Sequence, residues 1–146
     1  FVEVGLRETG TPVLITPPQA SMEIGKRVAV AWNGTVESAR AIALGMDLLT
    51  GAEEVTVIIA DEEDALEQSA APLIKYLAWH GVEPKLRQVQ ATRSDTGEAI
   101  CREAVKAGAD LLVMGAHSRN RLRELILGDV TEHVLTAADI AALMVH

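Results

Sequence analysis

Residues 110–131 read DLLVMGAHSRNRLRELILGDVT, and the fold turns on their first half. Leu111-Leu112-Val113-Met114 is an uninterrupted apolar run between Asp110 and Gly115. Such a run marks a strand covered on both faces of a parallel sheet, whereas a strand wet on one side would alternate. Gly115 breaks it into a polar, arginine-rich loop, which is where open α/β sheets bind their ligands.

Working outward, the rest of the chain alternates between the two periodicities. Lys26-Arg27-Val28-Ala29-Val30-Ala31-Trp32 reads as the first strand of the domain, stopped by Asn33-Gly34. Thr35 is placed to cap a helix running to about Leu49, with Ala39, Ile42, Ala43, Met46 and Leu49 at helical spacing and Gly51 ending it. Val55–Ala60 is a second buried strand. The acidic turn Asp61–Asp64 then leads to a helix ending near His80, with Gly81 as its stop. Pro72 predicts that this helix starts or kinks near Ser69–Ala71. The third strand, about Pro84 to Gln90, is more polar and suits a sheet edge.

Asp95 with Glu98 reads as a capping box opening a helix to about Ala107, with Ala99, Ile100, Ala104 and Val105 as its apolar stripe. The opening stretch supplies the fourth strand and then a short helical segment with Leu122, Leu125 and Ile126 on one side. A last helix is expected from about Val130 to Ala138, and Ala141–Val145 closes the sheet. Strands alternating with helices require parallel crossovers, so the expected architecture is an α/β three-layer sandwich.

The bulk properties bound the function. The chain has 146 residues, the size of one ordinary domain with a single core. Its composition is 49% hydrophobic but only 3% aromatic, so the core is aliphatic. A formal charge of −8 argues against a nucleic-acid footprint. Cys101 stands alone, which excludes a disulfide framework or thiolate cluster and fits a reducing, cytoplasmic interior, with the thiol expected to serve packing. No apolar run approaches a membrane span. The sequence opens at Phe1 without a methionine, as a fragment or processed product would.

Several chemistries are missing their motifs. There is no phosphate-binding G-x-x-x-x-G-K-[ST], and no G-x-G-x-x-G after the first strand. Trp32-Asn33 and Gln90-Ala91 stand where a receiver domain would carry aspartates. His80, His117, His133 and His146 are scattered without zinc-ligand spacing, and no serine sits in a nucleophile elbow. The expectation is a protein that is not an enzyme and holds no metal.

Gly115, Ser118 and Gly128-Asp129 stand at intervals close to G-x2-G-x9-G-[ST], and Val28-Ala-Val-Ala-Trp-Asn-Gly-Thr35 precedes them. On these residues, with Ala109–Leu135, the chain from Lys26 to His146 resembles the universal stress protein family. The resemblance implies a five-stranded parallel sheet in the order 3-2-1-4-5, the adenine nucleotide alpha hydrolase-like arrangement, with a crevice between its first and fourth strands. It also implies a nucleotide site drawn from Trp32, Asn33, Gly34, Met114, Gly115, Ser118, Gly128, Asp129 and Val130. Two positions depart from the pattern. Ser118 replaces a glycine, and Asp129 replaces the terminal Ser/Thr.

Asp129-Val130-Thr131-Glu132 reads as a capping box whose carboxylate would occupy the helix N-terminus a phosphate needs. Like charges ~4 Å apart repel by about 4 kcal/mol at an effective dielectric of 20, roughly a thousandfold in affinity. Arg119, Arg121 and Arg123 pull the other way, either as a solvated turn paired to acids or as anion contacts. The expected function is therefore a non-catalytic stress-response domain acting through dimerisation and partner contacts, without a cofactor. The alternative is a weak ATP or AMP sensor using the same cleft.

The family resemblance implies a homodimer through the last strand, with Ala141, Leu143 and Val145 at the interface. Thr11-Pro-Val-Leu-Ile-Thr16 resembles the closing strand of such a domain. Residues 1–24 are accordingly expected to be the tail of a preceding unit, and 25–146 the domain proper. Pro12–Thr16 is predicted to form an extra edge strand antiparallel to Ala141–Val145, of its own chain or of a swapped partner.

Overall fold

The computed structural model describes residues 11–19, 23–60, 66–92, 95–116, 133–134 and 139–146. Its strands are β1 (Val13–Ile15), β2 (Arg27–Trp32), β3 (Glu54–Ala60), β4 (Lys85–Val89), β5 (Leu111–Gly115) and β6 (Ala141–Val145). Its helices are α1 (Val36–Leu44), α2 (Met46–Gly51), α3 (Leu66–Trp79) and α4 (Thr96–Lys106). The sheet order is β1-β6-β5-β2-β3-β4. Counted from β2 as the first strand, the five parallel strands stand in the order 3-2-1-4-5, as expected.

Period-two alternation divides the core between the two faces of the sheet. Val28, Val30, Val57, Leu111, Val113 and Leu143 point to one face, where Ile42 and Leu49 of α1 and α2 and Leu73 and Leu77 of α3 cover them. Ala29, Ile58, Leu112, Met114, Ala142 and Met144 point to the other, against Ile100, Cys101 and Ala104 of α4. Because both faces are covered, β5 and β6 are buried at nearly every position, which is why their sequence reads as a continuous apolar run.

Helix phase was harder to read than strand phase. Ser38, Ala41 and Ile42 of α1 are buried, whereas Ala39 and Ala43, expected inside, are exposed. In α4, Cys101 is buried and Val105, expected in the stripe, is 56% exposed. Alanine loses little by facing water, so an alanine-rich helix is oriented by its neighbours instead of by its own stripe.

The single helix expected to Leu49 is divided at Gly45 (φ −89°, ψ 4°), although hydrogen bonds continue through it from Gly45 N to Ala41 O and from Leu49 N to Gly45 O. A methyl group at Gly45 would lie 2.9 Å from Ala41 O and 3.5 Å from both Leu143 and Val113, so the chain bends where only glycine lets it settle on β5 and β6. Helix α3 neither starts nor is interrupted at Ser69–Ala71. It begins at Leu66 and passes through Pro72, which lies on the solvent side, where water can satisfy the carbonyl that proline leaves unbonded. The capping box at Asp95 does not form: the side chain makes no cap bond and instead accepts the Thr92 hydroxyl at 2.7 Å, which with the nearby backbone holds its carboxyl below the usual range. The third strand is the polar edge strand expected, with Lys85 paired to Glu54 across to β3.

The extra strand is formed within the chain. β1 runs antiparallel to β6 with Val13 opposite Met144, Leu14 opposite Leu143 and Ile15 opposite Ala142. β6 is therefore paired on both sides, to β5 and to β1. The edge at which the homodimer was expected is thus taken up by β1 in this chain. Ala141, Leu143 and Val145 are buried in this sheet, and a partner's last strand can reach their edge only if β1 leaves it.

A candidate ligand crevice at the switch point

β2 and β5 are parallel neighbours, and the connections from their C-terminal ends lead away from one another, to β3 on one side and β6 on the other. Such a switch point opens a crevice above the strand ends. Trp32, partly buried, ends β2, and Gly34 turns the chain with a φ of +72° that a side chain would resist. Asn33 Oδ1 accepts from Thr35 N at 3.2 Å and from the Thr35 hydroxyl at 2.8 Å. Thr35 caps α1 as expected, its Oγ1 accepting from Ser38 N at 3.3 Å, and the Ser38 hydroxyl donates to Thr35 O at 2.9 Å. These polar groups largely satisfy one another.

Gly115 ends β5 beneath the first turn of α1. A methyl group there would lie 2.6 Å from Glu37 C and Ser38 N and 2.9 Å from Glu37 Cβ. Close approach of helix to strand thus requires glycine at this position, whatever ligand the loop beyond it contacts. Ala116 N donates to Val145 O at 2.7 Å and carries the sheet one residue further. The Met114 side chain is 2% exposed and packs on the α4 face, so any contact it makes in the crevice is through its backbone. Ser118, Gly128, Asp129, Val130, Arg119, Arg121, Arg123 and His117 lie outside the described residues, as does most of the expected last helix.

Three residues not singled out from the sequence prove structurally placed. Glu37 is buried in the first turn of α1, and its position one residue before the inward Ser38 was the available signal. Arg40 donates from Nη1 to His146 O at 2.8 Å, fastening α1 to the end of the sheet. Asp110, at the opposite end of β5, accepts from Gly25 N at 2.7 Å, Lys26 N at 3.1 Å and Arg27 N at 3.0 Å. Cys101 behaves as a packing residue, and burial pushes its thiol up to about 11. Among the described residues, no group of His, Cys, Asp and Glu could hold a metal ion, and no helix is long and apolar enough to cross a membrane.

Comparison with known proteins agrees with this arrangement. The Bacillus subtilis (strain 168) stress response protein NhaX is 35% identical over 57 residues, covering 39% of this chain and 34% of NhaX. A universal stress protein from Archaeoglobus fulgidus DSM 4304 superposes with a TM-score of 0.78 at 20% identity, over 99% of this chain and 54% of that one. A universal stress protein solved in complex with cAMP superposes at 0.66 with 21% identity, over 83% of this chain and 96% of that one. The chain thus spans about half of the Archaeoglobus protein, and its match covers about a third of NhaX. At these identities the structures speak for the fold alone. The family match is separate: residues 25–146 fit the universal stress protein family throughout. With the strand order, the switch-point crevice and that match together, this chain belongs to the universal stress protein family.

Proposed function

We propose that the domain is a non-catalytic stress-response module of the cytoplasm that acts by contacting partner proteins, and that its crevice binds adenine nucleotides weakly or not at all. The observation that carries this reading is the self-satisfied rim. Asn33 Oδ1, an acceptor that could meet a ribose hydroxyl, is already held by two hydrogen bonds from Thr35, so a ligand that uses this oxygen competes with them and the side chain is left to offer its amide N–H groups. Ser118 and Asp129, at the two altered positions of the loop motif, add to it from the sequence. Titration calorimetry with ATP and AMP up to ~1 mM, the weak-binding range, tests it. No saturable heat is expected, and micromolar binding by the unmodified protein would overturn the reading.

The alternative, an adenine-nucleotide sensor, draws on the relative solved with cAMP and on the Arg119, Arg121 and Arg123 cluster. For self-association, we propose a homodimer through the edge of β6, which forms when β1, the strand that fills this edge in its own chain, leaves it. We also propose, from the likeness of Thr11–Thr16 to a closing strand, that residues 1–24 are the tail of a preceding unit. Light scattering on the full chain and on one lacking residues 1–18 should give different masses, and a monomer in both cases would sink this arrangement.

A further inference from the structure

The outward face of α1 and α2 is more apolar than a solvated helix requires. Gly45 bends the chain, but hydrogen bonds run through it, and burial keeps one phase across the bend: Ala41, Ile42, Gly45 and Leu49 are turned to the sheet. Val36, Ala39, Ala43, Leu44 and Leu48 are left outside at helical spacing, so they share one face, with Arg40 and Asp47 among them. Among the described residues six large apolar side chains are exposed, and three of these, Val36, Leu44 and Leu48, stand on this face. In a chain of net charge −8, apolar groups gathered on one exposed face mark a contact surface.

The two charges on the face indicate what covers it. Arg40 and Asp47 are opposite in sign, on the same side, and two turns or ~10 Å of helix apart, with Ala43 and Leu44 midway between them. A two-fold axis passing at that midpoint, at right angles to the helix, brings up a second copy running antiparallel and sets Arg40 of each copy opposite Asp47 of the other. Ala43 and Leu44 meet their own counterparts at the axis, the alanine permitting close approach and the leucine supplying apolar contact. A parallel pairing in register would set Arg40 against Arg40 instead. Arg40 is already held in place, its Nη1 donating to His146 O at 2.8 Å, and its guanidinium has further N–H groups to offer. The Asp47 carboxylate makes no hydrogen bond or ion pair among the described residues. We propose that this face is a self-complementary interface on which a second copy of this chain docks antiparallel, its register selected by two reciprocal Arg40–Asp47 pairs. The interface is separate from the edge of β6 and leaves β1 in its place.

Sedimentation equilibrium of the full chain at concentrations up to ~1 mM tests it. The unmodified protein should associate reversibly. Asp47→Arg, which opposes two arginines across the axis, and Leu44→Asp, which charges its centre, should each raise the dissociation constant by about tenfold or more. Both positions are exposed, so the melting temperature of the dilute protein should be unchanged by either. Combining Asp47→Arg with Arg40→Asp exchanges the two charges and should recover most of what Asp47→Arg alone loses, a recovery that a local effect on the helix would not give. Absence of association in the unmodified protein overturns the proposal. Association that Asp47→Arg and Leu44→Asp leave unchanged overturns it too and points to the edge of β6, and a double exchange without recovery overturns the antiparallel register.

Discussion

The two ends of β5 present opposite treatments of a carboxylate. At the N-terminal end, Asp110 gathers three consecutive backbone N–H groups from the start of β2, in the concave arrangement that successive amides make around an anion. At the C-terminal end, Glu37 is more deeply buried, yet no described residue satisfies it. The first arrangement ties the entry of one strand to the entry of its neighbour and leaves no capacity for a ligand. The second has no bond to lose among the described residues. Burial alone therefore does not tell whether an acid is held structurally, but the donors around it do.

Three substitutions probe this contrast. The largest effect belongs to Gly115→Ala, which places a methyl group 2.6 Å from two backbone atoms of α1 that have no rotamer to yield. Overpacking of this kind should cost about 3 kcal/mol, read as a lower midpoint in urea denaturation, and a loss below ~1 kcal/mol would mean that helix and strand are not held in contact. Next is Asp110→Ala, which frees three amides. Since two of the bonds are exposed, water recovers part of the loss, and about 2 kcal/mol of stability should go. Asp110→Asn should fall between, because it keeps an acceptor without the charge. The smallest effect is that of Glu37→Gln, with stability unchanged or raised by up to ~1 kcal/mol, since no bond is lost and a buried charge is removed. If Glu37→Gln destabilises as much as Asp110→Ala, the two ends are alike and the contrast fails.

Legibility followed the same physics. The Leu111–Met114 run and the polar edge at Lys85–Val89 were readable, because a strand's environment is written in its period-two pattern and its composition, whereas the pairing of Val13–Ile15 with β6 was expected from the family resemblance. The cap at Thr35 was readable, whereas the cap at Asp95 was not. Both residue types suit the position, and only the placement of Thr92 decided that the second carboxylate turns away from the helix. The inward phase of α1 was obscured by alanines that fit either side. The burial of Glu37 went unread with it.

The sequence by itself determined the α/β class, the strand order through its family resemblance, the aliphatic core and the edge strand, because these depend on periodicity, composition and short motifs. Only the tertiary structure decided that β1 closes the edge of β6 within one chain, that Gly115 is demanded by the first turn of α1, that three amides converge on Asp110, and that Glu37 meets no such donors among the described residues. Each of these depends on which atoms meet across tens of residues of chain. A hydrogen bond or a clash is settled within a few tenths of an ångström, and local sequence carries no record of distance at that scale.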